Sequence, residues 1–263
     1  MAFLNLKHMF GFILLMYGHL VYAKDTMVFA VNHSPPWSII KQGEKVQGID
    51  ILLAEVIANK VGLEAKFLEC PFSRCLRMLE NGSADAILSL FKTTGRAKRI
   101  RFIEPNITLD SPKIFYLRHS DPTDIETYDQ LSSLNVGVVR DMAYFERFDN
   151  DLGINKVPLV TDSQLIDMLV RGRLDTFIGT QGTTDYLASI AGKTRFLKKA
   201  SYRFNSGRKS YLGISKQSAL NTPHYIELFE KIIQQLKDQE AVMQISNKFL
   251  LEQLEKFERI TND

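Results

Sequence analysis

Short apolar runs alternate with longer amphipathic stretches along most of the chain. A short apolar run between polar turns indicates a buried strand, and apolar residues three or four positions apart indicate a helix face. Leu53, Ile57 and Val61 have the helical spacing. Asp50 precedes them as the predicted N-cap, and Gly62 follows as the predicted helix end. The alternation of strands and helices predicts an α/β protein with largely parallel sheets.

The same pattern divides the chain into two predicted lobes. Strands are predicted at residues 26–31, 65–69, 84–90, 113–117, 135–139, 156–160, 176–179, 195–197 and 210–214. Helices are predicted at residues 50–61, 72–81, 94–99, 142–149, 162–172, 183–190, 222–237 and 240–257. The strands at 113–117 and 210–214 are interpreted as crossings between lobes. Lobe 1 would then be discontinuous, with residues 24–112 and 208–263, and lobe 2 would comprise residues 113–207.

The turns that follow the strands are the expected functional region, because open α/β sheets bind ligands beyond the carboxyl ends of their strands. These turns are residues 34–37, 89–96, 140–144 and 180–183. In the second turn a strand ends in hydroxyl side chains beside a helix start, and Arg96 follows. Unpaired N–H groups at a helix start and a guanidinium fork both favour an anion. A binding site for a small anionic group is therefore predicted.

Residues 1–23 have the features of a cleavable signal peptide. An apolar run at 9–21 follows Lys7, and Val21 and Ala23 supply the small residues that precede a cleavage site. A membrane anchor is the alternative, but the run is short for a span. No cysteine follows the predicted cut, so a lipoprotein is not expected. The sequence thus predicts a periplasmic protein.

Composition and charge exclude several classes of function. The 263 residues carry a net charge of +3, which is too balanced to indicate nucleic-acid binding. His33, His119 and His224 lack the spacing of metal ligands, so neither a metal nor another cofactor is expected. We expect a monomer that binds a small molecule.

Cys70 and Cys75 are both retained after the predicted cleavage. An exported protein meets an oxidising compartment, which favours a disulfide. Cys70 is predicted to end a strand and Cys75 to lie about one turn into the next helix, so a bridge requires a tight turn at Pro71. A disulfide and two buried thiols both remain open. A catalytic thiol is not expected, because no histidine is near in sequence.

The order of several motifs resembles that of a known family. The motifs are Pro35-Pro36-Trp37, Gly48-Ile49-Asp50, the set Gly82, Asp85, Thr93, Arg96 and Phe102, then Val136-Gly137-Val138, Gly172-Arg173-Leu174-Asp175 and Tyr211 to Lys216. Together they resemble the bacterial extracellular solute-binding proteins of the polar amino-acid type, family 3. The resemblance implies a two-lobe periplasmic-binding-protein-like fold of type II, with two crossing strands and a ligand cleft between lobes. It also implies delivery of the solute to the membrane permease of an ABC transporter. Asp85 and Asp175, in matching Gly-x-x-Asp turns, are interpreted as turn-fixing residues.

The resemblance also assigns roles in lobe 1. It implies that Arg96 pairs with the ligand's carboxylate and that Ser89 contacts the ligand where its strand ends. Thr93 offers a hydroxyl to the ligand or caps the short helix, and both roles remain open. Phe91 occupies a position where the family has a hydroxyl. Trp37 forms a wall or cation–π face of the site, or it belongs to the core of lobe 1.

Lobe 2 departs from the family's pattern. Thr180 occupies the position at which the amino-acid binders have a carboxylate for the ligand's ammonium group. Asp185 and Asp141 are possible substitutes, although neither matches the motif. Arg140 and Tyr144 are larger and more polar than the family's residues in their turn, and Arg140 either binds a second acidic group or pairs with Asp141. The expected ligand is a small polar carboxylate or an amino-acid-like molecule, anionic or zwitterionic.

Three other functions remain open. An enzyme of the same fold that eliminates water or carbon dioxide from cyclic carboxylates would need an acid or base, with Glu104, Asp110 and Asp141 as candidates. A sensory protein that presents its ligand to a receptor in trans would have the same binding chemistry. The third alternative is a binding site that has drifted and binds no ligand well. We expect no enzymatic activity, because the chain shows no paired catalytic signature.

Overall fold

The computed structural model describes residues 26–109, 112–204, 207 and 209–262. The predicted signal peptide lies outside the described residues. The strands, β1 to β10 in chain order, are Thr26–Val31, Glu64–Glu69, Ala86–Phe91, Ile100–Leu109, Lys113–Arg118, Asn135–Val139, Asn155–Leu159, Thr176–Thr180, Leu197–Phe204 and Lys209–Ser215. The helices, α1 to α8, are Ile49–Lys60, Phe72–Asn81, Thr94–Ala97, Glu146–Asn150, Asp162–Val170, Gln181–Ile190, Pro223–Asp238 and Ala241–Asn262. Short 3₁₀ helices lie at Tyr128–Ser133 and Thr194–Phe196.

The strands form two mixed sheets with related topologies. The first has the order β2-β1-β3-β10-β4 and the second has the order β7-β6-β8-β5-β9. In the first, β1 pairs in parallel with β2 and β3, whereas β10 pairs antiparallel with β3 and β4. The second repeats this arrangement, with β6 parallel to β7 and β8, and β5 antiparallel to β8 and β9. The α/β class is confirmed.

The prediction of largely parallel sheets is wrong. Consecutive strands β4 and β5 belong to different sheets, as do β9 and β10, so the chain passes between the sheets twice. In the first sheet β10 returns from the second and pairs antiparallel with both of its neighbours. β5, which enters the second sheet, does the same there. Each sheet therefore contains one strand that pairs antiparallel with two neighbours, and this makes both sheets mixed.

The longest strand and most of another were not predicted from the sequence. β4 contains Pro105 and several polar residues, and β9 has the sequence LKKASYRF. Both are edge strands, and an edge strand tolerates proline and charged side chains that a central strand excludes. The predicted helix at 142–149 is also shorter than expected, because α4 begins only at Glu146.

Asp50 is not the N-cap of α1, as the sequence predicted. The N-cap is Gly48, whose φ is 135° and which has no side chain to cap the helix. A Cβ atom at Gly48 would lie 2.2 Å from the carbonyl oxygen of Trp37, so only glycine fits this close approach. Asp50 is therefore the second residue of α1, and its carboxylate accepts a hydrogen bond from Ser89.

The turn-fixing roles of Asp85 and Asp175 are confirmed. Asp85 accepts hydrogen bonds from the backbone N–H of Val28, at 2.8 Å, and from the hydroxyl of Ser218, at 2.6 Å. Asp175 accepts from the backbone N–H of Asn135 at 2.8 Å. Each carboxylate thus ties the turn before one strand to the neighbouring strand, in the first and the second sheet respectively. Among the described residues no helix has the length and apolar character needed to cross a membrane.

Candidate functional site

A cavity of about 110 Å³, hereafter the inner cavity, lies between the two sheets. Trp37, Ser89, Phe91 and Arg96 line it from the side of the first sheet. Thr180 lines it from the side of the second sheet. Five of the eight predicted ligand-binding residues are therefore brought together, although they come from distant parts of the sequence.

Arg96 reaches across the inner cavity from α3. Its guanidinium donates hydrogen bonds to the backbone carbonyls of Phe91, at 2.9 Å, and Asp141, at 2.8 Å. The carbon of the guanidinium lies 5.2 Å from the centre of the Phe72 ring, which is within cation–π distance. Asp141 follows β6 of the second sheet and has a left-handed φ of 61°. Arg96 thus makes contacts on both sides of the cavity.

Ser89 and Asp50 form a pair on the wall of the inner cavity. Ser89 has a left-handed φ of 52° and donates a hydrogen bond of 2.8 Å to a carboxylate oxygen of Asp50. Burial raises the pKa of Asp50 to about 7, although the bond from Ser89 favours the ionised form. Sequence reasoning missed Asp50 as a cavity residue, because an acid at a helix start is most simply a cap.

Lys113 is a second cation on the wall of the inner cavity, and sequence reasoning missed it. The residue is 2% exposed, and its ammonium group donates a hydrogen bond of 2.9 Å to the hydroxyl of Thr180. The ammonium nitrogen also lies 5.0 Å from the centre of the Phe91 ring. Lys113 is the first residue of β5, which the sequence pattern had identified only as a crossing strand.

Trp37 both lines the inner cavity and packs against core residues. Its ring contacts a small apolar cluster that contains Ile39, Ile49 and Phe249. Beside it, the hydroxyls of Ser34 and Thr183 approach to 3.4 Å across the two sides of the cavity. The wall role and the core role of Trp37 are therefore compatible.

The structure does not bring three predicted residues to the inner cavity. Thr93 caps α3 and accepts a hydrogen bond of 3.2 Å from the backbone N–H of Arg96, and it lines a separate groove of about 1070 Å³. Arg140 is exposed. Tyr144 is 3% exposed in the core of the second sheet, where its hydroxyl accepts a bond of 2.8 Å from the N–H of Val139 and burial raises its pKa. Its aromatic ring prefers the core, which periodicity alone did not reveal.

Two other acidic candidates, Asp185 and Glu104, do not line the inner cavity. Asp185 accepts hydrogen bonds from the Tyr116 hydroxyl, at 2.9 Å, and from Lys199, at 2.6 Å. Glu104 is exposed and pairs with Lys92 at 3.1 Å. Asp110 lies outside the described residues.

Cys70 and Cys75 form a disulfide, with 5.4 Å between their Cα atoms. Cys70 directly follows β2, and Cys75 lies in the first turn of α2. The bridge therefore closes the tight turn at Pro71 and holds Phe72, whose ring lies beside Arg96. Of the two alternatives that the sequence left open, the structure has the disulfide.

The arrangement of two five-stranded mixed sheets around a polar cavity can be compared with known proteins. Residues 27–252 match the bacterial extracellular solute-binding proteins, family 3. The chain belongs to this family. The resemblance seen in the motifs is confirmed, and it extends over nearly all of the described residues.

Individual relatives of this family 3 protein are distant. A probable histidine-binding protein of Campylobacter jejuni subsp. jejuni serotype O:2 is 29% identical over 119 residues, which is 44% of this chain and 45% of that protein. The matched stretch thus spans less than half the length of this curated relative.

Solved structures match over a larger share of the chain. An ancestral arginine-binding protein bound to arginine has a TM-score of 0.72 and 19% identity, covering 86% of this chain and 97% of that one. A histidine kinase sensor domain with similarity to periplasmic binding proteins has the same TM-score and identity, covering 86% and 96%. These similarities confirm the periplasmic-binding-protein-like fold.

Proposed function

We propose that this family 3 protein captures a small amino-acid-like carboxylate in the periplasm and delivers it to the permease of an ABC transporter. The observation that carries the proposal is the position of Arg96, whose guanidinium lines a cavity between the two sheets together with hydroxyl groups. A guanidinium fork binds a carboxylate through two parallel, charge-assisted hydrogen bonds. No covalent step is needed for this function.

The two passages of the chain between the sheets support a hinged mechanism. In the proposal the first sheet belongs to lobe 1 (24–112 and 208–263) and the second to lobe 2 (113–207). Hinge closure would remove water from the ligand and clamp it between Arg96 and the second sheet. The present contact of Arg96 with the Asp141 carbonyl spans the same gap, and a ligand carboxylate would compete for the guanidinium.

The names of the relatives support an amino-acid-type solute. They include a probable histidine-binding protein and an ancestral arginine-binding protein. A second candidate function is presentation of the ligand to a sensory partner, which is favoured by the similarity to a histidine kinase sensor domain. The enzymatic alternative has less support, because its candidate Glu104 is exposed and paired with Lys92.

Thermal unfolding of the purified protein against a panel of amino acids, dicarboxylates and keto acids tests the proposal. A ligand at one hundred times its dissociation constant stabilises the folded state by about 2.7 kcal/mol, which raises the unfolding midpoint measurably. We expect a carboxylate to produce this shift and Arg96→Ala to reduce it strongly. Removing one partner of a buried charged pair costs about 2–5 kcal/mol, so the affinity should fall at least about 30-fold.

Arg99→Ala is the matched control, because Arg99 is exposed, pairs with Glu80 at 2.9 Å and does not line the inner cavity. Its variant should keep the wild-type affinity. An unchanged affinity in Arg96→Ala, or an equal loss in both variants, would contradict the role of Arg96. Pull-down of the permease with and without ligand separates transport from the sensory function.

A further inference from the structure

A second cavity adjoins the inner cavity and extends the candidate site. It has a volume of about 260 Å³ and is hereafter the side cavity. Asn32, Phe72 and Met142 line both cavities. The two spaces therefore meet at these three residues. The site is thus longer than the inner cavity alone, which permits a ligand with a tail.

The charges of the two cavities have opposite signs. The inner cavity is lined by the cations Arg96 and Lys113 and by one acid, Asp50. The side cavity is lined by the acids Glu69 and Asp162, and none of its described lining residues is a lysine or an arginine. One end of the combined site therefore favours an anionic group and the other end favours a cation.

His33 adds no positive charge to the side cavity. Its Nδ1 atom accepts a hydrogen bond of 3.0 Å from the backbone N–H of Ile40, so this nitrogen is unprotonated and the imidazole is neutral. Burial also lowers the pKa of His33, which favours the same neutral form. The acidic character of the side cavity is therefore not offset by its histidine.

The Asp162 carboxylate is not used to cap α5, because Thr161 is the N-cap of this helix. The hydroxyl of Thr161 accepts a hydrogen bond of 3.2 Å from the N–H of Gln164. Among the described residues the Asp162 carboxylate has a hydrogen bond only from its own backbone N–H. Burial raises the pKa of Asp162 to about 6, although its own backbone N–H and the positive charge of Lys113 both favour the ionised form, so the protein stabilises that form only in part. A cation in the side cavity would supply that stabilisation.

The disulfide constrains another part of the wall of the side cavity. Glu69 ends β2 and directly precedes Cys70, and Cys70 and Phe72 both line the side cavity. The bridge between Cys70 and Cys75 therefore limits the movement of this wall relative to α2. A fixed wall lowers the entropy cost of ordering the site around a ligand.

We propose that the ligand carries a carboxylate, which binds at Arg96, and a cationic tail, which enters the side cavity and pairs with Asp162 and Glu69. The ligand is thus an amino acid of the basic class, and Asp162 is a residue that determines specificity. This inference rests on the proposed function, since it assumes that an amino-acid-like carboxylate occupies the inner cavity.

Pairs of ligands that differ in the charge of the tail test this inference. L-arginine and L-citrulline have nearly the same shape, and only arginine carries a charged tail. L-lysine and L-2-aminoheptanoic acid differ in the same way, since a methyl group replaces the ammonium. Calorimetric titration of the purified protein at neutral pH should show at least one of the charged members binding more than ten-fold tighter than its neutral partner. Equal affinity within both pairs would overturn the inference.

Asp162→Asn keeps the shape of the side chain and removes its charge. We expect this variant to bring the affinity ratio of the preferred pair to within about three-fold, mainly by weakening the charged member. Glu126→Gln changes the net charge equally at an exposed position outside both cavities, and it should keep the wild-type ratio. A wild-type ratio in a folded Asp162→Asn protein would overturn the role of Asp162. If that variant does not fold, Glu69→Gln applies the same test to the exposed acid.

The titrations also distinguish failure of this inference from failure of the proposed function. Arg96→Ala should weaken both members of a pair by a similar factor, because both present the same carboxylate. Neutral members that bind as well as charged ones, and that lose affinity in Arg96→Ala, would leave the proposed function standing and remove the inference. The absence of binding by any amino acid, charged or neutral, would remove both.

Discussion

Ser89 has a backbone conformation that its side chain does not favour. A non-glycine residue with positive φ costs of the order of 1–3 kcal/mol, and surrounding contacts must hold it. The hydrogen bond from Ser89 to Asp50 is one such contact, and it orients the serine hydroxyl on the wall of the inner cavity. Because the hydroxyl proton is directed to Asp50, the lone pairs of Ser89 are left to accept a hydrogen bond from a ligand.

The burial of Asp50 should make the stability of the protein depend on pH. Its folded-state pKa of about 7 lies above the ordinary value of 3.8, so the folded state binds this proton more tightly than the unfolded state. The contribution to the free energy of unfolding is therefore greatest below about pH 4 and falls as the pH rises to about 7. Asp162, with a pKa raised to about 6, acts in the same direction.

Asp50→Asn should remove part of this dependence, because an asparagine oxygen can still accept from Ser89 but carries no charge. We expect the free energy of unfolding of the variant, taken relative to that of the wild type, to be higher at pH 8 than at pH 5 by at least about 1 kcal/mol. This amount corresponds to a pKa change of about one. Urea unfolding at both values measures the difference. Asp238→Asn, at an exposed position on α7, controls for loss of a negative charge. Equal differences at both pH values would refute the expected contribution of Asp50.

At the scale of elements, the helices and most strands were predictable, including the edge strands β2 and β7, whereas the edge strands β4 and β9 were not. β1, β6 and α2 have the predicted bounds, because their apolar periodicity is uninterrupted and their ends carry turn residues. β4 is held by hydrogen bonds to β10, and β9 is held by hydrogen bonds to β5. In both pairs the partner strand is distant in sequence. Their polar composition suits an edge, and a sequence pattern does not reveal where an edge will lie.

The disulfide is a constraint on the connection between β2 and α2. Closing a loop of six residues should stabilise the fold by about 2 kcal/mol through the entropy of the unfolded chain. We expect reduction with dithiothreitol to lower the free energy of urea unfolding by about this amount. The ligand affinity should fall as well, because Phe72, next to the bridge, packs against Arg96. The double variant Cys70→Ala, Cys75→Ala should no longer respond to the reductant; a response would show that another effect is measured.

At the scale of the whole molecule, the family resemblance gave the fold, and the residues alone gave only part of the site. Arg96 and Ser89 were predictable because they belong to one continuous motif, with Ser89 near the end of β3 and Arg96 just after it. Asp50 and Lys113 were not, because each comes from a different segment and its place in the cavity depends on how the two sheets face each other. Thr180 was predicted from the family's pattern, but its partner Lys113 was not.

The position of Trp37 makes its intrinsic fluorescence a probe of ligand binding. It is the chain's single tryptophan, and its indole lines the inner cavity. Indole fluorescence depends on the polarity of its surroundings, so expulsion of water by a ligand should shift the emission maximum and change its intensity. Ligands could then be screened without labels, by adding each solute and recording one spectrum. A solute that binds by calorimetry but leaves the spectrum unchanged would show that the indole does not sense the occupied cavity.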